Sequence, residues 1–355
     1  MGRRNETMQI QRHFFPGGNT PEGFFSYYHE ILKGASPGRL AIIKGGPGCG
    51  KSTFMKQLAN RMQNEGVSVD YLHCSSDPSS LDGLYLPKYH SAILDGTAPH
   101  VVDPRYPGVC DTIFNFCEWI DPSIGAERET IIKENEKIRS FFSEGYGYLK
   151  SASCILEKMQ QKSRNALSWE EMNRFCTDVL KRLPTGCGSA REKRMFLSAI
   201  TPEGFKNYLG ETFFDRHVMM LRCETGDAAG DVLEQLAAMC RIRNIDIVCY
   251  PCPMNPRSIE HLEIPSANFS LTVSNGYHTY ENPDQVVYFS DFCRQDYDNN
   301  ADFSLYRSLL ERAVSSFAKA KTAHDRLEQC YIPYVNFEKI DTLFEDALAF
   351  LTKTS

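Results

Sequence analysis

The apolar positions near the start of the chain predict a strand, a loop and a helix in that order. The run RLAIIK at 39–44 is short and apolar, as is typical of a buried parallel strand. After a glycine-rich segment, Phe54, Leu58 and Met62 recur at the spacing of one helical face, and Gly66 then provides a stop signal. This order of elements favours an α/β fold.

The same pattern returns in the second half of the chain. The segment TPEGF occurs at 20–24 and again at 201–205, and a later stretch of each half aligns without a gap. Three residue pairs in that stretch share one offset: Pro78 with Pro256, Pro87 with Pro265, and His100 with His278. The sequence therefore predicts two copies of one unit, at about 1–190 and 191–355.

Each copy is predicted to end in a helical hairpin, at about 126–183 in the first and about 302–351 in the second. Apolar residues in both segments recur at helical spacing. The segment SWEE predicts a capping box at Ser168, and Asn336 is the predicted cap of a single helix over 337–351. Because both copies keep these helices, we expect them to pack the copies together rather than to act as a catalytic lid.

Composition and charge are those of an ordinary globular protein. Apolar residues make up 42% and charged residues 24% of the chain, and the net charge of −6 indicates no nucleic acid partner. No apolar run approaches the roughly 18 residues of a membrane helix, and the N-terminal segment lacks the apolar core of a secretory signal. We expect a cytoplasmic protein with reduced thiols.

The 13 cysteines include one pair with metal-ligand spacing. Cys249 and Cys252 lie in the segment CYPC, but a structural zinc site needs four ligands and the sequence has no second CxxC pair. The surrounding segment IDIVCYPC is apolar enough to form a buried strand. The favoured interpretation is therefore a strand with buried thiols.

The glycine-rich segment GGPGCGKS at 45–52 fits the phosphate-binding pattern G-x-x-x-x-G-K-[ST]. Glycines allow backbone N–H groups to wrap around phosphate oxygens, and the N-terminus of a helix adds partial positive charge. Lys51 is expected to reach the β- and γ-phosphates, and Ser52 to bind Mg²⁺. The predicted nucleotide-binding residues are Gly45, Gly46, Pro47, Gly48, Cys49, Gly50, Lys51, Ser52 and Thr53.

A second Mg²⁺ ligand is predicted at Asp95, which ends the apolar run SAIL. The predicted cofactor is Mg²⁺ with ATP, and Lys51 and Asp95 are the predicted catalytic residues. Since Gly96 follows Asp95, the carboxylate has an alternative role in a turn, and no acidic residue stands there to orient an attacking water. The catalytic base stays open, and its further candidates are Asp77, Asp82, His73 and His100.

The second copy lacks this chemistry at the matching positions. The replacements are Gly50 by Ala228, Lys51 by Ala229, Ser52 by Gly230, and Asp95 by Val273. The segment that matches the glycine-rich loop is CETGDAAGD at 223–231, which we call the second loop. Its acidic residues Glu224, Asp227 and Asp231 place negative charge there, and this charge repels phosphate. We therefore predict one nucleotide per chain, bound in the first copy. Candidates for a cation that the second copy lends across the interface are Arg216, Arg222, Arg241 and Arg243.

Four segments together resemble a family of largely uncharacterised bacterial P-loop ATPases. They are GGNTPEGF, IIKGGPGCGKST, HCSSDPSSLDG and AILDGTAPHVVDPRYPG. The resemblance spans most of the chain and implies tandem P-loop NTPase-like units, each an α/β fold of mostly parallel strands flanked by helices. Members of that family look able to bind a nucleotide in both copies, so the second loop of this chain departs from the pattern.

The sequence predicts a Mg²⁺-dependent ATP-binding protein, and the leading hypothesis is an ATPase, that is a hydrolase, whose turnover rearranges the two copies. Two alternatives stay open. One is a small-molecule kinase that uses ATP. The other is a nucleotide-sensing module with little turnover, which the missing acidic residue after Asp95 favours. The expected partners are ATP and an unidentified macromolecule, with neither a membrane nor a nucleic acid indicated.

Overall fold

The computed structural model describes residues 11–34, 37–99, 101–184 and 190–353. Within these ranges the chain is an α/β protein with two mixed sheets of mostly parallel strands, flanked by helices. None of the described helices is both long and apolar enough to cross a bilayer.

The first half of the described chain forms one six-stranded sheet and one hairpin. Its strands are β1 (Gln11–Phe14), β2 (Gly17–Thr20), β3 (Gly23–Ser26), β4 (Arg39–Lys44), β5 (Val69–His73), β6 (Leu81–Leu86), β7 (Ser91–Asp95) and β8 (Asp111–Asn115). The sheet has the order β1-β5-β6-β7-β4-β8, while β2 and β3 pair with each other. Among these sheet strands only β6 runs against its neighbours. The apolar run RLAIIK is thus the strand β4, next to the edge strand β8.

The second half repeats this arrangement strand by strand. Its strands are β9 (Glu192–Arg194), β10 (Ser198–Thr201), β11 (Gly204–Asn207), β12 (His217–Arg222), β13 (Ile247–Cys252), β14 (Asn255–Ile264), β15 (Phe269–Ser274) and β16 (Gln285–Tyr288). The sheet has the order β9-β13-β14-β15-β12-β16, and within it β14 alone runs against its neighbours. The segment CYPC lies in β13 as predicted, with Cys249 fully buried.

Helices cover the sheets and join the two halves. They are α1 (Lys51–Asn64), α2 (Arg128–Ala166), α3 (Trp169–Arg182), α4 (Leu209–Phe213), α5 (Ala229–Ile242), α6 (Asn300–Tyr331), α7 (Phe337–Asp341) and α8 (Phe344–Thr352). The amphipathic helix α1 packs on the first sheet and α5 on the second, because each buries one apolar face. Gly66 follows α1 with a φ of 77°, in agreement with the predicted stop.

The last helix of each half packs on the sheet of the other half. On α8, Leu351 joins the same apolar core as Ile43 of β4 and Leu58 of α1. On α3, Cys176 joins the core that contains Leu236 of α5. We call α3 and α8 the exchanged helices. Each apolar core thus combines a helix from its own half with a helix from the other half of the chain.

The two long helices form an antiparallel pair between the halves. Glu134 near the start of α2 pairs with Arg326 near the end of α6 at 3.1 Å, and Asp302 at the start of α6 pairs with Lys158 at 2.7 Å. Midway along the pair the Phe317 ring packs directly against the backbone at Gly145, where any larger side chain would clash with it. Glycine therefore allows the two helices to approach closely.

Two details of the helical segments were tested by the structure. Ser168 caps α3 by accepting a hydrogen bond from the N–H of Glu171, but the predicted capping box is not completed, because the N–H of Ser168 donates to the carbonyl oxygen of Phe292. Asn336 caps α7 by accepting from the N–H of Lys339. The prediction of a single helix over 337–351 is wrong, because the structure has two helices there, α7 (Phe337–Asp341) and α8 (Phe344–Thr352). At the break the Thr342 hydroxyl donates to the carbonyl oxygen of Lys339 at 2.7 Å, a local bond of the kind that competes with helix continuation.

Candidate functional site

The glycine-rich segment connects β4 to α1 and leaves the N-terminus of α1 without a side-chain cap. Gly48 and Gly50 have φ angles of 69° and 79°, in the left-handed region that residues with a Cβ rarely adopt. Helix α1 begins at Lys51, its first turn contains no acidic residue, and no described side chain caps it. The first-turn N–H groups, which lack intrahelical partners, are therefore available to an anion.

Lys51 is held inside this loop. Its Nζ donates to the carbonyl oxygens of Gly45 at 2.8 Å and Gly46 at 2.9 Å. It also lies 3.5 Å from Oδ2 of Asp95, and the two side chains are only 13% and 15% exposed. The structure thus brings the predicted lysine and the predicted carboxylate together, with Lys51 oriented by the loop itself.

Asp95 and Ser52 supply oxygen atoms beside the loop. Asp95 ends β7, and its Oδ1 accepts from the N–H of Thr97 at 2.8 Å, while its Oδ2 lies toward Lys51. Ser52 lies in the first turn of α1, and its Oγ accepts from the N–H of Leu81 at 3.0 Å. Oδ1 of Asp95 therefore stabilises the turn, and Oδ2 faces the ammonium of Lys51 and can accept a metal ion. A carboxylate and a hydroxyl are oxygen donors of the kind that Mg²⁺ takes, so the donor set fits that ion.

The remaining predicted loop residues differ in their exposure. Cys49 is 1% exposed and joins the apolar core that contains Ile43 and Leu58, while Pro47 is half-buried and Thr53 is exposed. Burial raises the pKa of the Cys49 thiol. Cys49 therefore packs as a small apolar residue rather than acting as a thiolate nucleophile.

Two of the candidate bases have surroundings that do not suit the role. Burial opposes the charge of Asp77, but hydrogen bonds from Ser79 and the ammonium of Lys321, 3.2 Å away, outweigh it and lower its pKa. His73 shares a hydrogen bond of 2.8 Å with His13, and burial lowers its pKa to about 4. Neither group is poised to take up a proton near pH 7.

Asp82 is the candidate whose position in the chain ties it to the loop. It is 4% exposed and directly follows Leu81, whose N–H donates to Ser52. The phenol of Tyr28 lies beside it. Burial is the main cause that raises the pKa of this phenol, and the carboxylate of Asp82 adds to the effect. The fourth candidate, His100, lies outside the described residues.

The C-terminal part of α6, from the second half, lies over the glycine-rich segment 45–52, which we call the first loop. A Cβ on Gly46 would come within 2.8 Å of the Tyr331 ring, and one on Gly48 within 2.9 Å of the carbonyl oxygen of Glu328. Glycine is therefore required here by close approach as well as by backbone conformation. Lys321 of the same helix reaches across to the first half. Nothing in the local pattern around Lys321 predicts this, because the contact joins residues far apart in the chain.

Three of the four arginines predicted as bridging cations are engaged elsewhere. Three have partners on or around the second sheet: Arg216 with Glu263, Arg241 with Glu192, and Arg243 with the carbonyl oxygen of Leu180. Arg222 is exposed at the end of β12. Lys321 of α6 instead reaches the first half, where its ammonium lies 3.2 Å from Asp77 in the segment between β5 and β6.

Side chains already occupy the N-terminus of α5, at the second loop. The Oγ of Ser163 accepts from the N–H of Ala228 at 2.8 Å, and Asp231 in the first turn pairs with Arg164 at 2.7 Å. Any side chain at Gly230 would collide with a serine hydroxyl of β14. The N-terminus of α5 is thus already bonded to a side chain and carries an acidic residue in its first turn, whereas the N-terminus of α1 has no side-chain cap and begins at Lys51.

Comparison with known proteins gives one local match. Residues 24–84 match the family model described as Nephrocystin 3, N-terminal. The matched segment covers less than a fifth of the chain and includes the glycine-rich loop and α1. No curated protein and no solved structure matches this chain. The resemblance to bacterial tandem P-loop ATPases stays a prediction.

Proposed function

We propose that this chain is a Mg²⁺-dependent ATPase with one nucleotide site in its first half, built as a tandem P-loop NTPase whose second copy is vestigial. One observation carries the proposal. The uncapped N-terminus of α1 stands behind a glycine loop that already holds Lys51 beside Asp95. This combination of free backbone donors, an oriented ammonium and an adjacent carboxylate suits a triphosphate with its metal ion.

Each predicted residue has a role in this proposal. Lys51 exchanges its bonds to the loop carbonyls for the β- and γ-phosphates. The N–H groups of the loop and of the first turn of α1 donate to the other phosphate oxygens. Ser52 and Asp95 are the chain's ligands for Mg²⁺, an ion that neutralises charge on the phosphates when bound.

The contact between the first loop and α6 supports a link from turnover to movement of the second half. Tyr331 and Glu328 of α6 touch the glycine positions of the loop, and Lys321 pairs with Asp77 at its rim. A loop that widens around a triphosphate displaces this end of α6. Since α6 packs along α2, a displacement of α6 shifts the interface between the two halves.

A nucleotide-sensing module with little turnover is the second candidate, because one observation favours it. Gly96 follows Asp95, so no acidic residue stands where an attacking water would be oriented. The carboxylate of Asp77, between β5 and β6, already forms an ion pair with Lys321. Of the four predicted candidate bases, Asp82 and His100 then remain.

Phosphate release and calorimetric binding of ATP with Mg²⁺ test the proposal in four proteins: the parent, Lys51→Ala, Asp95→Asn and Lys56→Ala. Lys51→Ala should weaken ATP binding by about 3 kcal/mol, or roughly 100-fold, because two charge-assisted contacts to phosphate are lost. Asp95→Asn should mainly reduce Mg²⁺-dependent turnover, because the amide keeps the shape but not the charge. Lys56, exposed on the same helix, is the control and should leave both measurements unchanged.

The outcomes separate the candidate functions. Phosphate release by the parent supports the ATPase, and tight binding without release supports the sensor. ADP formation without free phosphate, in the presence of one compound from a metabolite panel, would indicate a kinase instead. Unchanged ATP affinity in Lys51→Ala would show that the glycine loop is not the binding site.

A further inference from the structure

A buried polar cluster lies beneath the second loop, where the phosphate-binding residues are missing. Glu260 and His261 belong to β14, and His278 follows β15. The three residues are 7%, 0% and 4% exposed. Glu260 and His278 line a cavity of about 60 Å³ together with residues of the second loop. A cavity of this size, with a carboxylate and an imidazole in its wall, has room for at least one water molecule.

The ligand atoms of this cluster converge. Nε2 of His261 lies 3.5 Å from Oε2 of Glu260, and Nε2 of His278 lies 3.6 Å from Oε1 of the same carboxylate. One ligand atom of each residue lies within 4.8 Å of the others. Two ligands at about 2.0–2.1 Å from a tetrahedral zinc ion are roughly 3.3 Å apart, so these separations approach those of a zinc site.

One tautomer of His261 leaves its second ring nitrogen able to bind a metal ion. Its Nδ1 lies 2.7 Å from Oγ1 of Thr272, whose hydroxyl is directed to the carbonyl oxygen of Val273 at 3.4 Å. When the Thr272 hydroxyl donates to that carbonyl, His261 donates from Nδ1 to Oγ1 and its Nε2 presents a lone pair toward the carboxylate of Glu260, as a metal ligand requires. Nε2 of His261 and both ring nitrogens of His278 have no hydrogen-bond partner among the described residues. Buried lone pairs that face each other are unfavourable unless a cation lies between them.

The first sheet shows that the fold does not require this polar pair. Gly83 faces Leu94 across β6 and β7. At the corresponding positions of the second sheet, His261 faces Thr272 across β14 and β15. A Cβ on Gly83 would lie 2.5 Å from the side chain of Leu94, so the leucine fills this space in the first sheet. An imidazole and a hydroxyl in the same buried place need a compensating interaction.

We propose that the second half binds one divalent transition-metal ion of the zinc class, held by Glu260, His261 and His278. Imidazole nitrogens and a carboxylate oxygen are donors that zinc takes, and a fourth position is available on the cavity side for water. Thr272 orients the ring of His261, and Ser198 orients the carboxylate by donating to Oε2 of Glu260 at 2.7 Å. The half that lacks nucleotide chemistry thus carries a metal site of its own.

Titration of Zn²⁺ into the chelator-treated full chain, without nucleotide, tests this proposal. Calorimetry should give one Zn²⁺ per chain in the parent, and Co²⁺ in its place should give the visible spectrum of a four-coordinate ion. Thr272→Val is nearly isosteric and should weaken binding by about 10–100-fold, because only the orientation of His261 is lost. His278→Ala removes a ligand and should weaken binding further. The control His217→Ala removes an exposed histidine of the same half and should leave the titration unchanged.

A parent chain without a stoichiometric Zn²⁺ site would overturn the proposal, and this measurement needs no variant to fold. Titrations of His278→Ala and Thr272→Val that both match the parent would also overturn it. A less buried group of possible ligands lies on α6: His324, Asp325 and Glu328. If His324→Ala abolished binding while His278→Ala did not, the ion would belong to that group instead. Because nucleotide is absent throughout, these results do not depend on ATP binding.

Discussion

Leu351, near the end of the chain, is predicted to stabilise the first half. The variant Leu351→Ala removes a side chain that is 1% exposed from the core that also contains Ile43, Met55 and Leu58. Truncation of a buried leucine costs about 2–5 kcal/mol, and the cost is larger where the surroundings cannot collapse. Here β4 and α1 enclose the site from two sides. We expect the free energy of unfolding to fall by about 3–4 kcal/mol.

Amide hydrogen exchange under native conditions, together with urea unfolding, tests this prediction. Leu351→Ala should accelerate exchange in β4, β7 and α1, and it should leave β12 and α5 close to the parent, because α8 covers the first sheet. Leu180→Ala is the matched control on the other exchanged helix, where the leucine is 4% exposed. It should accelerate exchange in α5 and the second sheet instead.

Two results would refute this reasoning. One is faster exchange that is confined to the second sheet in Leu351→Ala, since the helix would then cover its own half. The other is a loss of less than about 1 kcal/mol, which is the size of an ordinary surface effect and would mean that the leucine is not enclosed.

The remaining predictions concern stoichiometry and pH. Calorimetric titration with a non-hydrolysable ATP analogue and Mg²⁺ should give one nucleotide per chain. The double variant Ala229→Lys/Gly230→Ser should not raise this stoichiometry, because a serine hydroxyl of β14 occupies the space beside Gly230. A stoichiometry near two in the variant would contradict the prediction. The pKa of His73 is lowered from 6.5 to about 4 by burial, so the unfolded chain takes up this proton first as the pH falls. Relative to His73→Gln, the parent should therefore lose up to about 3 kcal/mol of stability as the pH falls from 6.5 to 4, and none above pH 7. Urea unfolding at several pH values would measure this loss. An equal pH dependence of stability in both proteins would exclude the effect.

Elements that depend on neighbouring residues were predictable from the sequence. The strand RLAIIK, the glycine loop and α1 follow from local apolar spacing and from glycine in left-handed positions. The caps at Ser168 and Asn336 follow from side-chain chemistry within one turn. The proximity of Lys51 and Asp95 was also predictable, because parallel strands in one sheet end at the same edge.

Features that join distant residues were not predictable in this way. Apolar spacing shows that α8 has one buried face, but it does not say which sheet that face covers. Lys321 gives no local sign of its contact with Asp77, for the same reason. The cluster under the second loop left a usable signal, since His261 aligns with Gly83 and a histidine there is unexpected in a buried strand.

The exchanged helices also set the order in which the newly made chain can mature. Arg39 of β4 donates from Nε to the carbonyl oxygen of Phe350, a partner 311 residues further along. At a synthesis rate of roughly 5–20 residues per second, the ribosome makes Arg39 about 15–60 s before that partner. During this interval the apolar face of the first sheet that α8 later covers is exposed to chaperones and to other nascent chains. The half that is translated first is therefore the one completed last.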